Sequence, residues 1–95
     1  MNTIINTSKF QADDKLEKYI REKVGKLDRM TDRATKCEVY LKIDKPESEF
    51  NKIAEVQLAM PGQTLFIAKQ ADSFEQAVSE AVDGMKVQIE KYKNA

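Results

Sequence analysis

Cys37-Glu38-Val39-Tyr40-Leu41-Lys42-Ile43 decides the fold. Cys37, Val39, Leu41 and Ile43 alternate with Glu38, Tyr40 and Lys42, the period of a strand with one buried face. Downstream, residues 44–50 (DKPESEF) are polar and include Pro46, so they read as a connection. The alternation resumes with Ala54, Val56, Leu58 and Met60 against Glu55, Gln57 and Ala59, a second strand of the same kind. Pro61-Gly62 marks a tight turn, and residues 65–69 follow as another strand. Short connections make these three strands antiparallel neighbours.

Upstream, residues 3–7 (TIINT) are rich in β-branched side chains and suit an edge strand. Asp13 is a candidate N-cap, and Leu16, Ile20, Val24 and Leu27 then recur at helical spacing. A helix is predicted from about Asp14 to Met30, with Gly25 inside it at a cost of about 1 kcal/mol relative to Ala. Near the other end, Asp72-Ser73-Phe74-Glu75 has the form of a capping box, with Asp72 as acceptor and Glu75 three residues on. Phe74, Ala77, Val78, Ala81, Met85, Ile89 and Tyr92 share one face of a second helix, predicted from about Ser73 to Lys93. The order is β-α-β-β-β-α. It predicts an α+β fold: a four-stranded mixed sheet with two helices packed on one face. The helical crossover makes the first strand parallel to the second if the two are neighbours.

The inventory narrows function by exclusion. The chain has 95 residues, 41% hydrophobic and 34% charged, which suits one folded domain over residues 1–95 and is too apolar for disorder. With no histidine, His-dependent triads, most zinc sites and an imidazole switch are excluded. The single cysteine, Cys37, allows no internal disulfide and falls on the inward set of its strand, where a structural thiol is expected. No apolar run reaches the roughly 20 residues of a membrane span, and the N-terminus has no signal-peptide pattern. A cytoplasmic protein with no membrane partner is expected. No GxSxG, HExxH, Walker or GxGxxG motif occurs, so no enzyme, cofactor, metal or small-molecule substrate is indicated.

The 16 basic and 16 acidic residues cancel, but they are not evenly spread. On a helical wheel with Leu16 at zero, the apolar residues of the first helix lie between about 0° and 80°. Lys15, Lys18, Lys26 and Arg29 lie between about 200° and 280°, joined by Arg33 if the helix reaches it. Asp14, Glu17, Asp28 and Asp32 occupy about 100° to 160°, while Arg21 and Glu22 break the pattern. A basic flank of this kind suits nucleic-acid phosphates, although a solvated face with i/i+4 pairs explains it as simply. Lys23 falls at about 340°, beside the apolar stripe, where a snorkelling lysine is ordinary. Lys86 and Lys93 in the second helix are interleaved with Glu75, Asp83 and Glu90, and Lys91 and Lys93 complement the helix dipole. Tyr40, Phe66, Lys42 and Ile53 fall on the outward sheet face, which allows a stacking platform for single-stranded RNA, a protein contact or plain cross-strand packing.

Over essentially its whole length the chain resembles the short ribosome hibernation factors, also called ribosome-associated inhibitor A, ribosomal subunit interface protein or sigma-54 modulation protein. The resemblance rests on Asp13-x-x-Leu16, Tyr19-Ile20-x-x-Lys23-Val24-x-Lys26-Leu27, Val39-Tyr40-Leu41-Lys42-Ile43, Ala54-Glu55-Val56 and residues 72–78 opening the last helix. It implies a protein that binds the small ribosomal subunit and its rRNA in the decoding region and blocks mRNA and tRNA; nothing in the sequence demands an oligomer, so a monomer is expected off the ribosome. Since the sequence ends soon after the second helix, it implies a short-form member. Lys23 and Lys26 match basic positions of the family's first helix, and Lys42 and Lys45 match basic positions in and after its second strand. With Lys18 and Arg29 from the wheel, these form the candidate RNA-binding set. Gly84 and Val87 stand where many members carry cations, and Lys86 is the nearby candidate to replace them. Two other functions fit the residues: a general double-stranded RNA binder, and a protein-interaction module using the sheet face around Tyr40 and Phe66.

Overall fold

The computed structural model describes residues 1–94. Its elements are β1 (Asn2–Thr7), α1 (Asp14–Met30), β2 (Lys36–Ile43), β3 (Lys52–Met60), β4 (Gln63–Ala71) and α2 (Phe74–Lys93). The sheet order is β1-β2-β3-β4. β1 runs parallel to β2, and the β2-β3 and β3-β4 pairs are antiparallel. The predicted α+β architecture is therefore the observed one.

The strands exceed the predicted spans because ladder pairing does not stop where side-chain alternation fades. Met60 pairs with Gln63 directly across the Pro61-Gly62 turn, and Lys52 pairs with Ala71 at the far end. Gly62 has φ 82°, a left-handed conformation that a side chain would disfavour. Both helix starts lie where the sequence puts them, but one cap differs. The Asp13 carboxylate accepts from the Leu16 N–H at 2.8 Å, as expected. At α2 the cap is Ser73, whose Oγ accepts from the Gln76 N–H at 3.1 Å, rather than Asp72. Ser73 has the extended backbone that capping needs, which moves the helix start one residue later.

All fully buried sheet side chains lie on one face. Cys37, Val39 and Leu41 from β2, and Ala54, Val56, Leu58 and Met60 from β3, form a single cluster with Ile20, Val24 and Leu27 of α1 and six residues of α2. Val82 is among those six although it lies off the predicted stripe. From Phe74 at zero on the wheel it lies at about 80°, just beyond Ile89 and on the flank away from β4, so the buried arc is wider on that side than the spacing predicts. Gly84 lies on the side of α2 that faces β4, where a Cβ would press on Ile67 Cδ1, the end of a side chain that could turn aside. Phe10 and Phe74 stack with centroids 4.8 Å apart, tying the β1-α1 connection to the start of α2. At the opposite end, Tyr92 donates to the Pro61 carbonyl at 3.0 Å, and Lys93 donates to the Met30 carbonyl at 2.9 Å. The second contact puts a cation on the negative end of the α1 dipole.

Replacing Ser73 by Ala removes one satisfied helix donor and should lower stability by about 1 kcal/mol, whereas Asp72→Ala should change it by less than about 0.5 kcal/mol. Urea denaturation of both variants measures the difference; equal losses would mean that Asp72 shares the cap.

Candidate nucleic-acid interface

The α1 stripe fixes where the basic flank points. Burying Ile20, Val24 and Leu27 turns Lys18, Lys26 and Arg29 to solvent, and all three are exposed. The helix ends at Met30, so Arg33 is not part of the helical stripe. From Lys18 to Arg29 the stripe covers about 16 Å of helix axis. Among the described residues, none of Lys18, Lys23, Lys26 and Arg29 pairs with a carboxylate. Lys23 is half-buried and its ammonium lies 5.6 Å from the Tyr19 ring centroid, one turn back on the same helix. Tyr19 packs against the core, so its ring holds the Lys23 ammonium at the margin of the flank by a cation–π contact. Arg21, off the stripe, donates to the Thr3 carbonyl of β1 at 3.2 Å.

The other candidate cations sit elsewhere. Lys42 lies on the outer sheet face, away from the helices, with its ammonium 2.8 Å from Glu55. Lys86, the proposed substitute on α2, lies 3.8 Å from Asp83, one turn back. Lys45 is exposed in the β2-β3 connection, at the end of the sheet where α1 begins. Its backbone has φ 48°, held by three donors onto its carbonyl: the Ser48 N–H at 2.9 Å, Ser48 Oγ at 3.0 Å and Asn51 Nδ2 at 3.1 Å. Thus α1 brings four candidates together, Lys45 stands at one end of that group, and Lys42 and Lys86 are separate and paired.

The outer sheet face is uncovered but poorly suited to anions. Lys36 is 3.0 Å from Glu38, and Lys42 is paired with Glu55, so its charges balance. Tyr40 and Phe66 are 38% and 48% exposed, yet β3 lies between them. Two strand spacings and one residue pair separate them by about 12 Å, with Glu55 directly beside Tyr40. Consecutive bases cannot stack on both.

Cys37 is completely buried, as its inward position predicts. Burial first, and the Glu38 carboxylate second, push its thiol up to about 12. It is neither a nucleophile nor a metal ligand at neutral pH. Among the described residues no group of three or more His, Cys, Asp or Glu could hold a metal, and no helix is long and apolar enough to cross a membrane.

A mixed sheet is thus covered on one side by two helices, one of which carries a basic flank with no carboxylate partner among the described residues. Residues 3–95 match the family described as "Sigma 54 modulation protein / S30EA ribosomal protein", and the chain belongs to that family. It is 30% identical over 84 residues to the ribosome hibernation promotion factor of Deinococcus radiodurans. That alignment takes in 87% of this chain and 44% of the relative, so the chain spans about half the length of the protein it matches. Among solved structures, a ribosomal subunit interface protein from Coxiella burnetii aligns with TM-score 0.86 at 19% identity, over 100% of both chains. The N-terminal domain of Thermus thermophilus Protein Y aligns with TM-score 0.83 at 22% identity, over 97% of this chain and 99% of that one. These two likenesses establish the shared fold.

The Cys37 thiol carries a pH signature. Unfolded, it ionises near 8.5, whereas folded it stays protonated to about 12. Above pH ~8.5 only the unfolded state loses this proton, so the stability it contributes falls as pH rises towards 12. Urea midpoints measured from pH 7 to 10 should decline more steeply for the natural protein than for Cys37→Val. Parallel curves would place the thiol in contact with water.

Proposed function

We propose that this chain is a non-enzymatic, ribosome-associated translation inhibitor that binds rRNA in the decoding region of the small subunit and excludes mRNA and tRNA. The observation that carries this reading is the α1 flank, where Lys18, Lys23, Lys26 and Arg29 lie together with no carboxylate partner among the described residues. In a protein of zero net charge such a flank is a local feature, and the family to which the chain belongs gives it a ribosomal setting. The wider role of the Deinococcus relative, a ribosome hibernation promotion factor, supports the same reading.

The physics is that of an obstructing ligand. The cations displace counterions from rRNA phosphates, and the packed domain behind them occupies volume that mRNA and tRNA need. No bond is made or broken. Lys45, at one end of the flank, extends the contact. Lys42 and Lys86 contribute less, because a phosphate must compete with Glu55 and Asp83 for their ammonium groups. The middle of α2 adds little charge beside Lys86, since neither Gly84 nor the 54% exposed Val87 is a cation.

Co-sedimentation with vacant small subunits tests this. The natural protein should pellet with them at low salt, with affinity falling by a log–log slope of about −0.7 to −0.9 per phosphate neutralised. Lys23→Glu/Lys26→Glu should abolish pelleting, and Lys42→Ala should weaken it by less than about threefold, as expected for a surface-paired group. Salt-insensitive binding lost on Tyr40→Ala/Phe66→Ala would instead identify a protein partner on the outer sheet face.

A further inference from the structure

The end of the domain where α1 and α2 finish carries features that the α1 flank does not use. A concavity of about 840 Å³ opens there between the last turn of α1, the β3-β4 turn and the end of α2. Arg29, Arg33 and Lys93 line it, with Tyr92 and Gln63 forming its far wall. A smaller depression of about 280 Å³ lies next to it, lined by Lys91 and Leu65 and sharing Tyr92 and Gln63 with the first. Tyr92 therefore stands between two adjacent hollows, with Arg29, Arg33 and Lys93 lining the first and Lys91 the second. The first volume lies in the range of ordinary small-ligand sites.

The construction is firm. The Tyr92 hydroxyl is held by the Pro61 carbonyl at 3.0 Å, which fixes its ring at this end. Lys93 is held across the cleft by the Met30 carbonyl at 2.9 Å, keeping its charge at the rim. The Thr31 hydroxyl accepts from the Arg33 N–H at 3.1 Å and sets the turn that brings Arg33 back beside Arg29. Two carboxylates also line the first hollow, Asp28 and Asp32. Asp28 has the chain's N-terminal ammonium 3.7 Å away. Arg29, Arg33, Lys91 and Lys93 thus outnumber Asp32, the one lining carboxylate without a partner among the described residues, and the negative C-terminal ends of α1 and α2.

We infer that this end of the domain is a single-stranded RNA track in which two consecutive nucleotides occupy the two hollows on either side of Tyr92. Phosphates lie against Arg29, Arg33 and Lys91, one base stacks on the Tyr92 ring, and Gln63 meets a base edge. Stacking on a fixed aromatic beside a cationic groove is how single strands are held without sequence preference. Arg29 belongs both to the α1 flank and to the track, so a strand leaving the helix would enter the larger hollow directly. The inference rests on the proposed rRNA-binding role and extends it: the α1 flank would grip phosphates, and the track would take an unpaired segment.

Titration of the isotopically labelled chain with hexa-adenylate and hexauridylate, followed by NMR, tests it apart from ribosome binding. The amides of residues 31–33, Gln63 and Tyr92 should shift most with both oligomers. Arg33→Glu, in an exposed turn, should weaken oligomer binding by about tenfold. Tyr92→Leu should weaken it by about tenfold while Tyr92→Phe, which keeps the ring, binds nearly as the natural protein does. Thermal unfolding of each variant separates loss of folding from loss of stacking. Shifts confined to Lys18, Lys23 and Lys26 would overturn the inference, as would undiminished binding by folded Arg33→Glu. Absence of oligomer binding by a chain that still pellets with small subunits would overturn the track and leave the rRNA role standing.

Discussion

The structure depends on one requirement: a sheet with a single apolar face has to be covered on that face alone. β3 shows it most plainly, because Ala54, Val56, Leu58 and Met60 are all buried while Glu55, Gln57 and Ala59 between them remain half-exposed. Each large apolar side chain removed from water contributes about 1.5–3 kcal/mol, so leaving this face open would cost more than the net stability of a domain of this size. Both helices must therefore lie on the same side. The parallel β1-β2 pair makes that possible, because its connection has to return along the sheet and does so as α1.

From this packing the electrostatics follow. A helix that buries Ile20, Val24 and Leu27 has no rotational freedom left, and whatever lies opposite must face water. On α1 that is the cationic flank. The outer sheet face is also open, but its lysines are matched with glutamates, Lys36 with Glu38 along β2 and Lys42 with Glu55 on β3. Surface pairs of this kind add roughly 0–1 kcal/mol each, so their effect on fold stability is small. Their effect on the field is larger, since they cancel the charge of one face, whereas on the flank of α1 only Glu22 stands among Lys18, Lys26 and Arg29. A chain of zero net charge thereby acquires a polar axis.

Order at the two ends of the domain has separate causes. At one end Phe10 and Phe74 stack and the buried Asn51 helps to hold the Lys45 carbonyl, so the β2-β3 connection has defined geometry despite being exposed. At the other, Tyr92 and Lys93 bind backbone carbonyls from the β3-β4 turn and from α1. These are single hydrogen bonds worth about 0.5–1.5 kcal/mol each. They position side chains and the ends of elements that the core itself has already brought together.

Alternation and helical period determined the elements, their order and most of the buried set, because one-sided burial follows residue spacing; the exceptions are Ile43, exposed at the end of β2, and Val82, buried beside the stripe. The sequence also made Asp13 legible as a cap and Cys37 as a buried thiol, and it placed Lys18, Lys26 and Arg29 on one side of α1. It could not show that Lys42 belongs to Glu55, because the two meet only diagonally in a register set by the β2-β3 ladder. Nor could it show that Gly84 faces Ile67, since Ile67 is 17 positions away and meets it only when α2 lies on β4. The Ser73 cap turned on one backbone conformation, and Asp72, equally good as an acceptor, lacked only the position. The hollows around Tyr92 gather residues from α1, the β3-β4 turn and α2, which are distant in sequence and adjacent only in the folded chain. Period and spacing are local and can be read along the chain; contacts between elements exist only once the sheet and helices have packed.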